Sequence, residues 1–73
     1  MRKTIYDDWY KGFVRRLRSA REQAGLTQIA VAKRLGCTQA YVSKIEAGQI
    51  RVDVLELKRL ASMYKKRVVY FLK

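Results

Sequence analysis

Histidine and proline are absent from this 73-residue chain, and cysteine occurs only once. Without histidine, the chain lacks the side chain that serves most often as a general base or a zinc ligand. A single cysteine builds neither an internal disulfide nor a cysteine-based zinc site. There is also no glycine-rich phosphate loop and no pairing of a nucleophile with a base. The sequence therefore predicts a protein that is not an enzyme, with no catalytic site, no metal site and no cofactor.

Long apolar runs are missing as well. The uninterrupted apolar stretches are only a few residues long, which argues against a membrane-spanning segment and a membrane partner. Arg2 and Lys3 follow the initial methionine, but no apolar secretory segment comes after them. We therefore expect a cytoplasmic protein. The length is that of one domain, so a single domain is expected over residues 1–73.

Acidic residues are few. The chain has 17 Lys and Arg against 6 Asp and Glu, a net charge of +11, while 49% of the residues are hydrophobic and can form a core. So much positive charge favours an anionic partner, first nucleic acid and second an anionic membrane surface. A solvated surface that serves only solubility is the alternative. The basic residues are spread evenly along the chain, so charge alone does not locate a binding face.

Glycines and the spacing of apolar residues divide the chain into helices. The first helix is predicted from Thr4 or Asp7 to Ala24, with Gly25 as its C-cap. Its apolar stripe comprises Tyr6, Trp9, Phe13, Leu17, Ala20 and Ala24. This helix is amphipathic, and a membrane-surface helix is a further interpretation of it, but the stripe is needed for a core.

Two short helices follow and meet at a turn. Thr27 caps the second helix and Gly36 ends it; Thr38 caps the third helix, which runs to about Ala47 and stops at Gly48. The buried stripe of the second helix is predicted to be Val31, Ala32 and Leu35. Two helices joined by a three- or four-residue turn that contains glycine are typical of a helix-turn-helix.

The last third of the chain also has helical signals. Asp53 and Glu56 have the spacing of a capping box that opens a fourth helix. The apolar positions of this helix are Val54, Leu57, Leu60, Ala61 and Tyr64. The final segment, residues 68–72, is equally compatible with a helix and a strand.

The third helix has a polar outward face. Val42 and Ile45 are predicted to pack inward, with Thr38 between them. The opposite face holds Gln39, Ala40, Ser43 and Lys44. Glutamine can read adenine, lysine can reach guanine or phosphate, and alanine can contact a thymine methyl group. The alternative interpretation is an ordinary solvated helix face.

Four segments of the sequence carry a family resemblance: LRSAREQAGLTQ, AKRLG, TQAYVSKIEAG and LELKRLASMYKKRVVYFL. In this order they resemble the helix-turn-helix domain of the phage Cro and repressor type, the XRE family. The resemblance implies an all-α fold, a compact five-helix bundle in which helix one is extended at its N-terminus. Residues 17–72 correspond to the family core, and residues 1–16 form the extension.

The same resemblance implies a function. Its third helix enters the major groove of double-stranded DNA, and the protein acts on transcription, normally as a repressor, as a homodimer on a palindromic operator. By position, Gln39, Ala40, Ser43 and Lys44 correspond to base readers. The expected backbone contacts are Thr27, Gln28, Thr38, Tyr41, Gln49 and Arg51. Arg21 and Glu46 correspond to a buried salt bridge, and Cys37 in the turn is expected to be buried and inert.

The two ends of the chain are rich in aromatic residues. Tyr6, Trp9, Tyr70 and Phe71 are predicted to form a dimer interface or a patch for a protein partner. Packing of the N-terminal extension on helix five is the alternative. A partner-binding patch would favour a different class of protein, an antitoxin-like module that binds its partner through the aromatic ends and regulates its own promoter.

Overall fold

The computed structural model describes residues 8–73, and this part of the chain is all-α. Its helices are α1 (Asp8–Gln23), α2 (Gln28–Leu35), α3 (Gln39–Glu46), α4 (Val54–Tyr64) and α5 (Val68–Phe71). The predicted five-helix architecture is confirmed, and the segment that was compatible with helix or strand is the short helix α5. The predicted start of helix one, at Thr4 or Asp7, lies outside the described residues, as does Tyr6.

Side-chain caps begin the three central helices. The caps are the three predicted residues, Thr27, Thr38 and Asp53, and each is in an extended backbone conformation. Each side-chain oxygen accepts a hydrogen bond from the backbone amide three residues later, over 3.0, 3.1 and 2.8 Å respectively. The expected capping box is only half formed, because the carboxylate of Glu56 binds the hydroxyl of Tyr41 instead of turning back to Asp53.

Left-handed residues end α2 and α4. Gly36 has a φ of 76°, and its amide and that of Cys37 both donate to the carbonyl of Ala32 over 2.9 Å. Lys65 ends α4 in the same way, with a φ of 58°, although a side chain is disfavoured in this conformation. Among residues 8–73, Lys65 is the only residue other than glycine with a positive φ.

The core lies where α1 packs against α3, α4 and α5. Its apolar members are Phe13, Val14, Leu17, Ala20, Val31, Ala32, Val42, Ile45, Leu57, Leu60, Ala61, Tyr64 and Phe71. Four residues of the predicted stripes are not in it, namely Trp9, Ala24, Leu35 and Val54. Ala24 is exposed because α1 has ended before it, and Val54 is 74% exposed because it opens the first turn of α4. Leu35 is only half-buried.

The prediction that Phe71 lies on an aromatic surface is wrong. Phe71 is 0% exposed, because α5 folds back onto α1 and α4 and inserts this ring into the core. Tyr70 is half-buried, with its ring edge against Phe71 at a centroid distance of 4.9 Å. Trp9 is 49% exposed and stacks on Phe13 at 5.7 Å. Of the predicted aromatic set, Trp9 is therefore the exposed member among the described residues.

Candidate nucleic-acid interface

The outward face of α3 is polar and accessible. Its inward residues, Val42 and Ile45, are buried in the core. Thr38 does not lie between them as predicted: it precedes the first turn, is exposed and caps the helix. The four predicted base readers are all exposed, namely Gln39, Ala40, Ser43 and Lys44. The buried side of α3 thus fixes the helix, while these four side chains face solvent.

A hydrogen bond joins the N-terminal ends of α2 and α3. The side-chain Nε2 of Gln39 donates to the side-chain oxygen Oε1 of Gln28 over 3.2 Å. Gln28 in turn donates from its own Nε2 to Oε1 of Glu46 over 3.1 Å. Since a glutamine amide has two hydrogens, Gln39 retains one hydrogen and its carbonyl oxygen after this bond. One donor and one acceptor are what a bidentate contact with adenine requires.

Glu46 is held from the other side by Arg21. Nε of Arg21 lies 2.7 Å from Oε2 of Glu46, and its second contact, from Nη2 to Oε1, is 3.1 Å long. The two side chains are only 11% and 6% exposed. The hydrogen bond to Glu46 raises the pKa of Arg21 against the opposing effect of burial. The third guanidinium nitrogen donates to the carbonyl of Leu26 over 2.9 Å, so α1 fixes both the entry to α2 and the end of α3.

Tyr41 connects α3 to α4. Its hydroxyl donates to Oε2 of Glu56 over 2.7 Å. This hydrogen bond, together with burial, raises the pKa of Tyr41 to about 12. A phosphate group only accepts hydrogen bonds from a protein donor, so the hydroxyl of Tyr41 has no second hydrogen to offer it.

The remaining predicted backbone contacts lie at the two edges of α3. Thr27 is exposed beside the first turn of α2, and Gln49 and Arg51 are exposed in the segment that joins α3 to α4. Tyr10 anchors this segment by donating to the carbonyl of Ile50 over 3.3 Å. Burial raises the pKa of Tyr10, while a separate backbone hydrogen bond with Val52 and the charge of Arg51 act in the opposite direction.

Negative charge is scarce at the starts of α2 and α3. Neither helix has an acidic residue in its first turn. Glu46, at the C-terminal end of α3, has a nearly buried side chain that is paired with Arg21. Helix N-termini carry partial positive charge and unsatisfied amides, both of which favour an anion such as phosphate. Within residues 8–73, no three acidic, histidine or cysteine side chains are grouped closely enough to hold a metal ion.

Some of these contacts were not predicted from the sequence. The Gln28–Gln39 bond, the shared carboxylate of Glu46 and the Tyr41–Glu56 bond emerge only in three dimensions. The sequence does contain one signal for the Gln28–Gln39 bond. The dipeptide Thr-Gln occurs twice, at residues 27–28 and 38–39, each time as a cap followed by the first helical residue. Because α2 and α3 each begin with a threonine cap followed by a glutamine, the two glutamine side chains extend from equivalent positions on their helices.

Comparison with known proteins gives one positive finding. A family model described as a helix-turn-helix domain matches residues 13–65, from Phe13 to Lys65, and thus spans α2, α3 and α4 completely. A search of curated proteins and a search of solved structures each gave no significant match. Among the described residues, no helix combines the length and hydrophobicity needed to cross a membrane. Because the family match covers well over half of the chain, the protein belongs to the XRE-like helix-turn-helix family of DNA-binding regulators.

Proposed function

We propose that this protein is a cytoplasmic, sequence-specific transcriptional repressor that binds a palindromic operator as a homodimer. The observation that carries the proposal is the joined start of α2 and α3. There the hydrogen bond to Gln28 fixes the side-chain amide of Gln39 beside two capped helix N-termini. Neither helix carries an exposed acidic side chain. Such an arrangement favours a polyanion that also offers base edges.

In this proposal α3 lies in the major groove and its outward face reads bases. Gln39 contacts adenine with the donor and acceptor that remain after its bond to Gln28. Ala40 contacts a thymine methyl group, while Lys44 reaches guanine or a phosphate. Ser43 lies beside them, and its hydroxyl can donate to a base edge or to a phosphate.

Contacts to the DNA backbone set the register of α3. Thr27, Gln28 and Thr38 lie at the starts of α2 and α3, and they offer side-chain donors beside backbone amides. On the other edge, Gln49 and Arg51 follow α3 in an exposed segment. The proposed role of Tyr41 is to position this segment through its bond to Glu56 rather than to donate to phosphate. The mechanism is non-covalent, so it requires neither a cofactor nor a reaction.

Selection of bound duplexes from a random pool tests this function directly. Enrichment of a palindrome with two half-sites about one helical turn apart, 10–10.5 base pairs, is expected for a two-fold dimer. A single enriched half-site would contradict the dimer but keep sequence-specific binding. No enrichment over the starting pool would contradict sequence-specific reading altogether.

A second candidate function rests on a separate observation. Three apolar side chains at the ends of the described chain are exposed, Trp9, Val69 and Leu72. A homodimer would cover such residues with a second copy, whereas an antitoxin-like module would cover them with a different protein that it neutralises.

Mass measurement in solution separates the two candidates. For a repressor, we expect a dimer at micromolar concentration, and a Val69→Asp variant that is monomeric and loses operator binding. A wild-type chain that stays monomeric while binding the palindrome would favour the antitoxin-like module. The matched control is Val54→Asp, which makes the same apolar-to-acidic change at an exposed position on α4 and should leave the oligomeric state unchanged.

A further inference from the structure

A basic groove lies between the C-terminal ends of α1 and α2 and one side of α4. It consists of two adjoining cavities of about 640 and 480 Å³, which share Arg34, Met63 and Lys65 in their walls. Arg34 is in the last turn of α2, six residues after Gln28, and is therefore about 9 Å further along the helix axis. The groove is thus separate from the joined helix starts that face the operator in the proposed function.

The positive charge of this groove is not neutralised within the described chain. Its walls include Arg34, Lys58, Arg59 and Lys65, and no aspartate or glutamate lines either cavity. Among residues 8–73, none of these four cations lies within 4.0 Å of a carboxylate, whereas Arg18 and Arg21 both do. Clustered cations repel each other, so an anionic ligand in the groove gains energy from all four.

Apolar side chains also line the groove. Leu55 lines it and is 67% exposed, and Met63 lines it and is half-buried. A nucleic-acid backbone offers phosphates and sugars but little that would cover a leucine, whereas a peptide can supply a carboxylate and an apolar side chain together. The combination of cations and apolar side chains in a concave surface therefore favours an acidic peptide over a second duplex.

Lys65 adds an independent observation. It takes the left-handed conformation that ends α4, a position at which glycine is favoured because it has no Cβ. Strained residues of this kind persist where the surrounding structure holds them and are concentrated at binding sites. A role for the ammonium group in binding an anion at the edge of the groove would explain why a lysine takes this strained position.

We infer that the groove between α2 and α4 docks an acidic, amphipathic segment of a partner protein. Carboxylates of the segment pair with Arg34, Lys58, Arg59 and Lys65, and one apolar side chain covers Leu55 and Met63. Since the groove lies away from the joined starts of α2 and α3, the partner binds while α3 is on DNA. The surface recruits a protein to the operator, which goes beyond DNA binding itself.

A fluorescein-labelled peptide is the probe for this inference. It has about 18 residues, or five helical turns, with leucine on one face and glutamate elsewhere. Fluorescence anisotropy gives its Kd with the full chain. We expect Lys58→Glu to weaken binding by about tenfold, because the side chain at position 58 then repels the nearby carboxylates of the peptide instead of attracting them. The matched control is Lys11→Glu, which makes the same charge change at an exposed position on α1 and should alter Kd by less than about twofold.

Two further variants separate the contributions of charge, apolar contact and fold. Lys65→Gly removes a charge and relieves the left-handed strain, so we expect a raised Tm together with weaker peptide binding. Leu55→Ser keeps the net charge and should also weaken binding. A control peptide with the same composition, but with its leucines scattered around the helix, should bind more weakly than the amphipathic one.

Each contrary result would overturn the inference in a recognisable way. Equal weakening by Lys58→Glu and Lys11→Glu would show that the peptide senses only net charge. An absence of saturable binding below about 1 mM would show that the groove has no peptide site. If a mixed-sequence duplex loses as much affinity as the peptide on Lys58→Glu, the groove is a nucleic-acid surface. Selection of the operator does not depend on any of these outcomes.

Discussion

Gln39 is the residue on which the proposed base reading most depends. Alanine offers neither the donor nor the acceptor that the glutamine amide retains beside Gln28. We therefore predict that Gln39→Ala weakens operator binding by about 1–3 kcal/mol and relaxes the preference at one base pair in each half-site. Binding to a panel of single-base operator variants at fixed salt measures both effects. If both proteins rank the panel identically, Gln39 does not read sequence.

Arg51 is the matched control for that experiment. It follows α3 in an exposed segment and is proposed to contact phosphate rather than a base. Arg51→Ala should weaken all operator variants alike and lower the slope of log affinity against log salt by about one. A change in base preference with Arg51→Ala would show that the Arg51 side chain contacts bases in a groove of the DNA.

Tyr41 makes a prediction about alkaline pH. The bond to Glu56 raises its pKa from 10.0 to about 12 in the folded chain, so the folded state holds the phenolic proton more tightly than the unfolded state. This contribution is fully present below pH 10 and is lost as the pH rises towards 12. The wild type should therefore lose free energy of unfolding more steeply over this interval than Tyr41→Phe.

Denaturant titrations of both proteins between about pH 9 and 12 measure this difference. Burial raises the pKa of Tyr64 to about 12 as well, but Tyr64 is present in both proteins and its effect cancels in the comparison. Parallel curves for the wild type and Tyr41→Phe would contradict a hydrogen bond from Tyr41 to Glu56 in solution.

At the scale of helices, the caps determine where each element begins. Asp53 accepts a 2.8 Å hydrogen bond from the amide of Glu56 at the first turn of α4. Asp53→Ala removes that acceptor, so we expect a loss of about 1 kcal/mol in the free energy of unfolding. Asp53→Asn keeps an accepting oxygen and should retain most of the stability. Equal losses for both variants in urea denaturation would assign the effect to charge rather than to capping.

Most helix boundaries were predictable because their signals are local. Thr27, Thr38 and Asp53 act through the residues immediately after them, and Gly36 acts through its own backbone. These short-range effects do not depend on the rest of the fold. The same reasoning predicted that Val42 and Ile45 face inward, because three-residue spacing puts them on one side of α3.

The wrong predictions concern how helices meet. Phe71 was placed on the surface by composition, but the return of α5 onto α1 buries it. Val54 has a core-like position in the period of α4, yet no helix covers that first turn and it stays exposed. The contacts of Gln28 with Gln39 and Glu46 cross between elements, so no pattern within one helix contains them.

For the whole molecule, the pair formed by Arg21 and Glu46 holds α1 against α3. Because both side chains are nearly buried, removing one strands the charge of the other. Glu46→Ala should therefore cost about 3–5 kcal/mol, a large part of the stability of so small a domain. Replacement of both residues by apolar ones should recover much of that loss. Thermal melting of the wild type and these two variants tests this, and a native-like Tm for Glu46→Ala would contradict a buried pair.

A net charge of +11 favours contacts with several phosphates, and the number of these contacts determines the salt dependence of DNA binding. A dimer that neutralises about 6–10 phosphates should lose roughly 10³–10⁵-fold in affinity between about 50 and 200 mM salt, because bound cations are released from the duplex. A salt titration of duplex binding gives the slope directly. A flat titration would remove nucleic acid as the partner.

The bond between Gln28 and Gln39 has a consequence for attempts to retarget the protein. Ala40, Ser43 and Lys44 are exposed, and their side chains make no hydrogen bond within residues 8–73, so these three positions can be varied independently in a library. Position 39 is different, because a side chain without a hydrogen-bond donor there removes the partner of the side-chain oxygen of Gln28. Positions 28 and 39 should therefore be randomised as a pair, since a screen that changes one alone loses this hydrogen bond in many of its variants.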